Sequence, residues 1–292
     1  VKPKIYLVLI ISGLLLYSIS CGGNAKNTDL RYEPIEKKLK YKNQIFLESV
    51  IDTGKIHVTT KMILLSFLEN EITKNENNLL LKMTFTDINL GHFKRELQIL
   101  DKDVQAVDLK DKAEVEAELK DKVIHKWVNL IVDEKGRILE KYYSSDLDKV
   151  NFINLTGIAE QFFIHFPKGE VEIGQQWEED YSSTIPPYDK GQPFAGTIKY
   201  TYLGQEERKG ILCYKIQAVL FLEEERQVGE NITRVSRIGT GTLYFAVDGT
   251  YLVESEVSSD LSLLSVVNGN GEEKDRNFIR TRIDQKIEVV FE

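Results

Sequence analysis

Cysteine is almost missing from this chain: its 292 residues hold two, Cys21 and Cys213, beside two methionines, two tryptophans and four histidines. Two cysteines do not frame a disulfide scaffold, and a chain of this length buries a core without one. The histidines, His57, His92, His125 and His165, fall in separate elements with no cysteine or carboxylate at ligand spacing, so no metal site is expected. There is no G-x-S-x-G elbow, H-E-x-x-H pair, Walker loop or calcium loop. Gly239-Thr240-Gly241 is the nearest thing to a phosphate loop, but no helix N-terminus follows it to hold an anion, and glycines inside a strand pattern permit a bend instead. Neither catalytic residues nor cofactors are therefore expected, and the reading is of a non-enzyme. Positive charge is in deficit: 38 Lys and Arg against 46 Asp and Glu leave a net charge of −8, which repels polyanions and excludes nucleic acid as a partner.

Long apolar runs are also wanting. The run from Ile5 to Leu16 is broken by Ser12 and Gly13 and falls short of the ~20 residues a membrane-spanning helix needs. It follows Lys2 and Lys4 and leads through Ser18-Ile19-Ser20 into Cys21, the profile of a signal peptide over residues 1–20. Its removal takes away two lysines and no acids, moving the charge from −8 to −10. Ser18-Ile19-Ser20-Cys21 resembles the lipobox of bacterial lipoproteins. That resemblance implies acylation of Cys21 and attachment to a membrane through N-terminal lipid, with Gly22 implying passage to the outer membrane, facing the periplasm. Residues 21–38, with little apolar periodicity, read as a lipidated tether. Cys213, in the run Ile211 to Ile216, reads as a buried inert thiol.

From about Lys40 the apolar residues recur with period two, as in Ile56, Val58, Thr60, Met62, Leu64 and again in Leu79, Leu81, Met83, Phe85, with Asn75 to Asn78 as the turn between. The charged stretch Asp101 to Lys122 reads as a surface helix or an excursion between strands. A hairpin follows, turning at Asp133 to Gly136. Leu155, Ile158, Ala159, Phe162, Phe163 and Phe166 then recur at helical spacing and predict one aromatic-faced helix over residues 145–166, ended by Pro167. An antiparallel meander occupies residues 171–292, its clearest turn at Asp248-Gly249. One face of the last strand is dry (Ile279, Ile283, Ile287, Val289, Phe291) and the other wet. The expected fold is α+β, mainly β: one domain over 39–292, with N-terminal strands in 39–143 and a large curved antiparallel sheet of about ten or eleven strands. That sheet forms an incomplete barrel packed on the helix.

Val171-Glu172-Ile173-Gly174-Gln175-Gln176-Trp177 resembles the V-x-x-G-x-x-W step of bacterial envelope lipoproteins of uncharacterised function, as do the later Gly239-x-Gly241-Thr242-Leu243-Tyr244 and Asp248-Gly249-Thr250-Tyr251-Leu252 hairpins. The outline is also similar to lipoprotein-carrier half-barrels. These resemblances imply a shared scaffold and no particular activity. Two functions remain open: a non-catalytic structural or interaction module working with an envelope protein, or a binding protein whose concave apolar face takes a lipid or acyl chain. Pro186, Pro187, Tyr188 and Phe194 would then form the ligand mouth.

Overall fold

The computed structural model describes residues 27–35, 37–101, 110–150, 154–185, 188, 192–228, 231–269 and 272–291. The chain runs β1 (Thr28–Asp29), β2 (Leu39–Asp52), β3 (Ile56–Asn75), β4 (Asn78–Ile99), α1 (Lys112–Val123), β5 (Trp127–Val132) and β6 (Ile138–Tyr143), then a 3-10 turn at Leu147–Lys149 and α2 (Thr156–Glu160). After these come β7 (Glu170–Val171), β8 (Gln176–Ser183), β9 (Phe194–Arg208), β10 (Ile211–Val228), β11 (Asn231–Ala246), β12 (Leu252–Gly269) and β13 (Glu272–Val290). Eleven of the strands form one antiparallel sheet in the order β6-β5-β4-β3-β2-β13-β12-β11-β10-β9-β8. It consists of two meanders of sequence-adjacent hairpins, sewn together where β2 pairs β13 from Lys40↔Val290 to Asp52↔Phe278. The sheet does not close, and β6 and β8 are its edges. The expected open, mainly β architecture is what the chain adopts. No described helix is long and apolar enough to cross a membrane.

Alternation assigns the two faces. On β2 the pattern buries Leu39, Tyr41, Asn43, Ile45 and Leu47, and register carries that parity through Met62 and Leu64 on β3 and Ile287 and Val289 on β13. This core face is covered toward one end of the strands by α1, the 155–166 segment and residues 30–35. A capping box between Asp111 and Glu114 starts α1, which buries Val115, Leu119 and Val123. Three polar residues sit fully inside the sheet seam: Gln285 donates to Asn43 Oδ1 at 2.9 Å, and Asn43 donates to Ser66 Oγ at 3.1 Å. They hold three adjacent strands, β13, β2 and β3, in one register.

Two sequence-based expectations fail in this covering layer. The continuous helix over 145–166 is instead the 3-10 turn and the five-residue α2, with 151–153 outside the described residues. After α2 the backbone bonds sideways. The Ile164 N–H donates to the Tyr32 hydroxyl at 2.9 Å and the Phe166 N–H to the Lys135 carbonyl at 2.7 Å. Phe162, Phe163, Ile164 and Phe166 are all buried, so the segment is wrapped by neighbours on several sides and its apolar residues do not define a single helical stripe.

Residues 28–35, expected to belong to a tether over 21–38, pack against the domain. Thr28 and Asp29 pair with Val171 and Glu170, and Leu30, Tyr32 and Ile35 are 0, 3 and 8 % exposed. Tyr32 lies 4.8 Å from the rings of both Phe163 and Phe166 and 5.9 Å from Phe245. Lys135 reaches Asp29 at 2.6 Å, and that hydrogen bond holds the Asp29 carboxyl below its ordinary range. Beneath Tyr32, Gly136 adopts φ +89°, and a Cβ there would stand 2.2 Å from the Ile164 carbonyl oxygen. The same layer spans the gap between the sheet edges: Trp177 of β8 donates to the His165 carbonyl at 2.8 Å, while Lys141 of β6 pairs Glu160 at 2.6 Å.

Candidate functional site

Beyond the covering layer, three cross-strand rows of the core face run on toward the other end of the strands. Register places Arg237, Leu261, Thr281, Ser49, Thr60 and Arg95 side by side from β11 to β4. One flanking row holds Gly239, Ser259, Ile283, Leu47, Met62 and Phe93, and the other holds Val235, Leu263, Ile279, Ile51, Val58 and Leu97. Met62 and Leu263 are buried, but Ile283, Ile279, Val58, Leu97, Phe93 and Leu261 are only half-buried and Ile51 is 38 % exposed. Val257, one step nearer the covering layer, is 37 % exposed and leans over Gly241, where an added Cβ would meet its Cγ2 at 2.8 Å. Two rows rich in apolar side chains, parted by a mostly polar one, therefore lie partly open beyond the covered end of this face, and together they form a band.

At one end of the band a second buried cluster joins Phe194, Leu222, Val235 and Leu263, with Tyr181, Ile185 and Tyr188 against it. This is where the loop expected to form a ligand mouth sits. Pro186 and Pro187 lie outside the described residues. Tyr188 is half-buried, with its backbone N–H on the Ile185 carbonyl at 2.8 Å, and burial pushes its phenol up. Phe194 is fully buried, 4.5 Å beneath the Arg226 guanidinium, and belongs to the packing of this cluster. Its even position on β9 puts it on the core face, directly opposite Ser183 of β8. Cys21 too lies outside the described residues.

The band carries charge as well as hydrocarbon. Arg95 donates to Thr60 Oγ1 at 3.3 Å and lies 5.2 Å from the Phe93 ring. Arg237 donates to the Tyr181 hydroxyl and, at 3.4 Å, to Ser259 Oγ. Between them Ser49 and Thr281 share a hydrogen bond of 3.1 Å. Neither arginine makes an ion pair among the described residues. Sequence reasoning passed over both, although the signal was present: each has the parity of its strand's apolar residues, Arg237 two places from Val235 and Arg95 two from Leu97.

The opposite face is polar and ion-paired. Lys286 bridges Glu254 at 2.8 Å and Glu256 at 2.9 Å, which raises its ammonium pKa. A groove of about 490 Å³ there is lined by Gln44, Phe46, Gln217, Thr240, Thr242, Glu256, Ser258, Asp284 and Lys286. Further along, Phe221 and Ile238 stand directly opposite each other, 52 and 53 % exposed, beside Val219. Cys213 is fully buried, its Sγ 3.4 Å from the Ile211 carbonyl, and burial raises its thiol to about 11. Among the described residues no three His, Cys, Asp or Glu side chains converge as metal ligands.

No protein-family model matches this sequence, and no curated protein matches it significantly. Solved structures do resemble it in shape. One is of lipovitellin, concerned with lipid–protein interactions, at 15% identity and a TM-score of 0.48, over 89% of this chain and 25% of that one. The present chain thus spans a quarter of that protein's length. Another is an outer membrane channel from Pseudomonas putida F1, at 8% identity and a TM-score of 0.21, covering 91% of this chain and 100% of that one.

Proposed function

We propose that this chain is a lipid-anchored protein of a bacterial envelope whose open core-face band takes an acyl chain. The observation that carries the reading is the set of incompletely buried aliphatic side chains, Ile51, Val58, Leu97, Ile279 and Ile283, on the core face beyond the covering layer. Apolar side chains gathered on one face and left partly open favour an interaction site, since leaving them in water forgoes about 25 cal/mol per Å². From β4 to β11 the band crosses five inter-strand steps, about 24 Å at ~4.8 Å each. An acyl chain fills one leaflet, half of a ~30 Å hydrocarbon layer, so it fits within that span.

The test is mass spectrometry of solvent extracts from the purified protein, together with titration of a fluorescent acyl probe. The parent is expected to carry and bind acyl lipid, and Ile51→Lys, a charge at the most exposed aliphatic side chain of the band, to weaken probe binding. A parent that neither carries lipid nor binds the probe would end the proposal. Anchoring is read separately: Cys21→Ala should move the protein from the membrane to the soluble fraction, and unchanged attachment would remove the anchor. A second reading, an interaction module, is favoured by the exposed Phe221 and Ile238 pair on the polar face.

A further inference from the structure

We infer that the ligand of the band is an anionic amphiphile and that Arg237 binds its charged end. The inference rests on the acyl-chain reading and adds the head group to it. A guanidinium carries five N–H donors and stays protonated. Here two of its nitrogens are engaged, by the neutral hydroxyls of Tyr181 and Ser259, and Nε is buried with no hydrogen-bond partner among the described residues. The Tyr181 ring lies 5.6 Å from the guanidinium carbon. On the neighbouring strands Arg237 is flanked by Leu222 and Leu261. The carboxylate that shares this face on edge strand β8, Glu179, instead accepts from the Tyr200 hydroxyl at 3.2 Å.

The contrast with Arg226, on the neighbouring strand β10 four residues from Leu222, the residue paired with Arg237, is informative. Its guanidinium pairs Glu224 and also donates to the carbonyls of Gln192, at 2.5 Å, and Pro193, at 3.1 Å. That arginine is satisfied within the fold. Arg237 is left with a buried, unpaired donor and, among the described residues, no counter-charge, an arrangement that is costly to hold away from water. A carboxylate or phosphate oxygen brought by the ligand supplies both the missing acceptor and the missing charge. Such a group at one end of an acyl chain would let the hydrocarbon follow the aliphatic rows toward Ile51 and Val58.

Three probes of equal chain length separate the possibilities: a fatty acid, a lysophosphatidic acid and the corresponding fatty alcohol, each titrated against the full chain, Arg237→Met and Arg237→Lys, with urea unfolding as the check on folding. The parent is expected to bind an anionic probe about tenfold more tightly than the alcohol. Met should abolish that preference, and Lys should keep part of it. Whichever anion the parent prefers assigns the head group as carboxylate or phosphate. Equal affinity for acid and alcohol in the parent, or a preference that survives in Arg237→Met, overturns the inference while leaving the band intact. If the parent binds none of the three, the acyl-chain reading fails and this inference with it.

Discussion

Tyr32 offers the sharpest test of how the chain before the sheet is held. Its hydroxyl accepts from the Ile164 N–H at 2.9 Å and donates to the Ile164 carbonyl at 3.3 Å, and burial keeps its phenol protonated. Tyr32→Phe preserves the ring and strips both bonds from a buried peptide group, which should cost about 2 kcal/mol. Tyr32→Ala also removes the ring from between Phe163, Phe166 and Phe245. A buried aromatic replaced by Ala costs about 3–5 kcal/mol, so the double loss approaches the whole stability of a domain near the lower end of the ~5–15 kcal/mol range. Urea unfolding followed by the fluorescence of Trp177, whose indole bonds the neighbouring His165 carbonyl, reports the loss directly. Hydrogen exchange of the Ile164 amide should accelerate in parallel. If both variants stay within about 0.5 kcal/mol of the parent and the Ile164 amide exchanges at its original rate, residues 28–35 are a free tether and the docking described above is wrong.

Gly136→Ala should lower stability by about 3 kcal/mol, because it adds left-handed strain to a collision with the Ile164 carbonyl and the Tyr32 ring. Gly210→Ala is the control: its φ is +77° with nothing within 4 Å of an added Cβ, so only the strain of about 1 kcal/mol applies, and equal losses in thermal melts would refute the close-approach argument. At pH 8 the thiol of Cys213, raised to about 11 by burial, is ionised in only about one molecule in a thousand. In a Cys21→Ala variant, Ellman's reagent should therefore react with the unfolded chain and not with the folded one, and stoichiometric labelling of that folded variant would contradict the burial of Cys213.

The strands were legible because each has one dry face: period-two runs such as Leu79, Leu81, Met83 and Phe85 can be produced by little else, and the turns between them carry Asn, Asp or Gly. The covering layer was not legible, for a physical reason. Phe162, Phe163, Ile164 and Phe166 are contacted from several directions, and their spacing imitates a helix that the sideways bonds to Tyr32 and Lys135 displace. Leu30, Tyr32 and Ile35 are three apolar residues among charges, too few to register as a pattern, yet each fills a place on the core. In the candidate site, a Pro-rich loop does not disclose that Phe194 is fully packed, whereas Arg95 and Arg237 stand on the parity of apolar residues, a signal the sequence carries.

The seam between β2 and β13 joins residues as far apart as Asn43 and Gln285, 242 positions along the chain. Ribosomes add about 5–20 residues per second, so β2 waits on the order of 10–50 s after its own synthesis before its partner exists. During that interval one meander can form its hairpins and still present a long, unpaired, apolar-faced margin, the kind of margin on which strands from other chains grow. Assembly dominated by so distant a pairing is slow. The nascent protein is accordingly a substrate for whatever holds unfolded chains in its cell, and the Asn43–Gln285 bond acts as a late checkpoint, made only by a strand that arrives in the correct alignment.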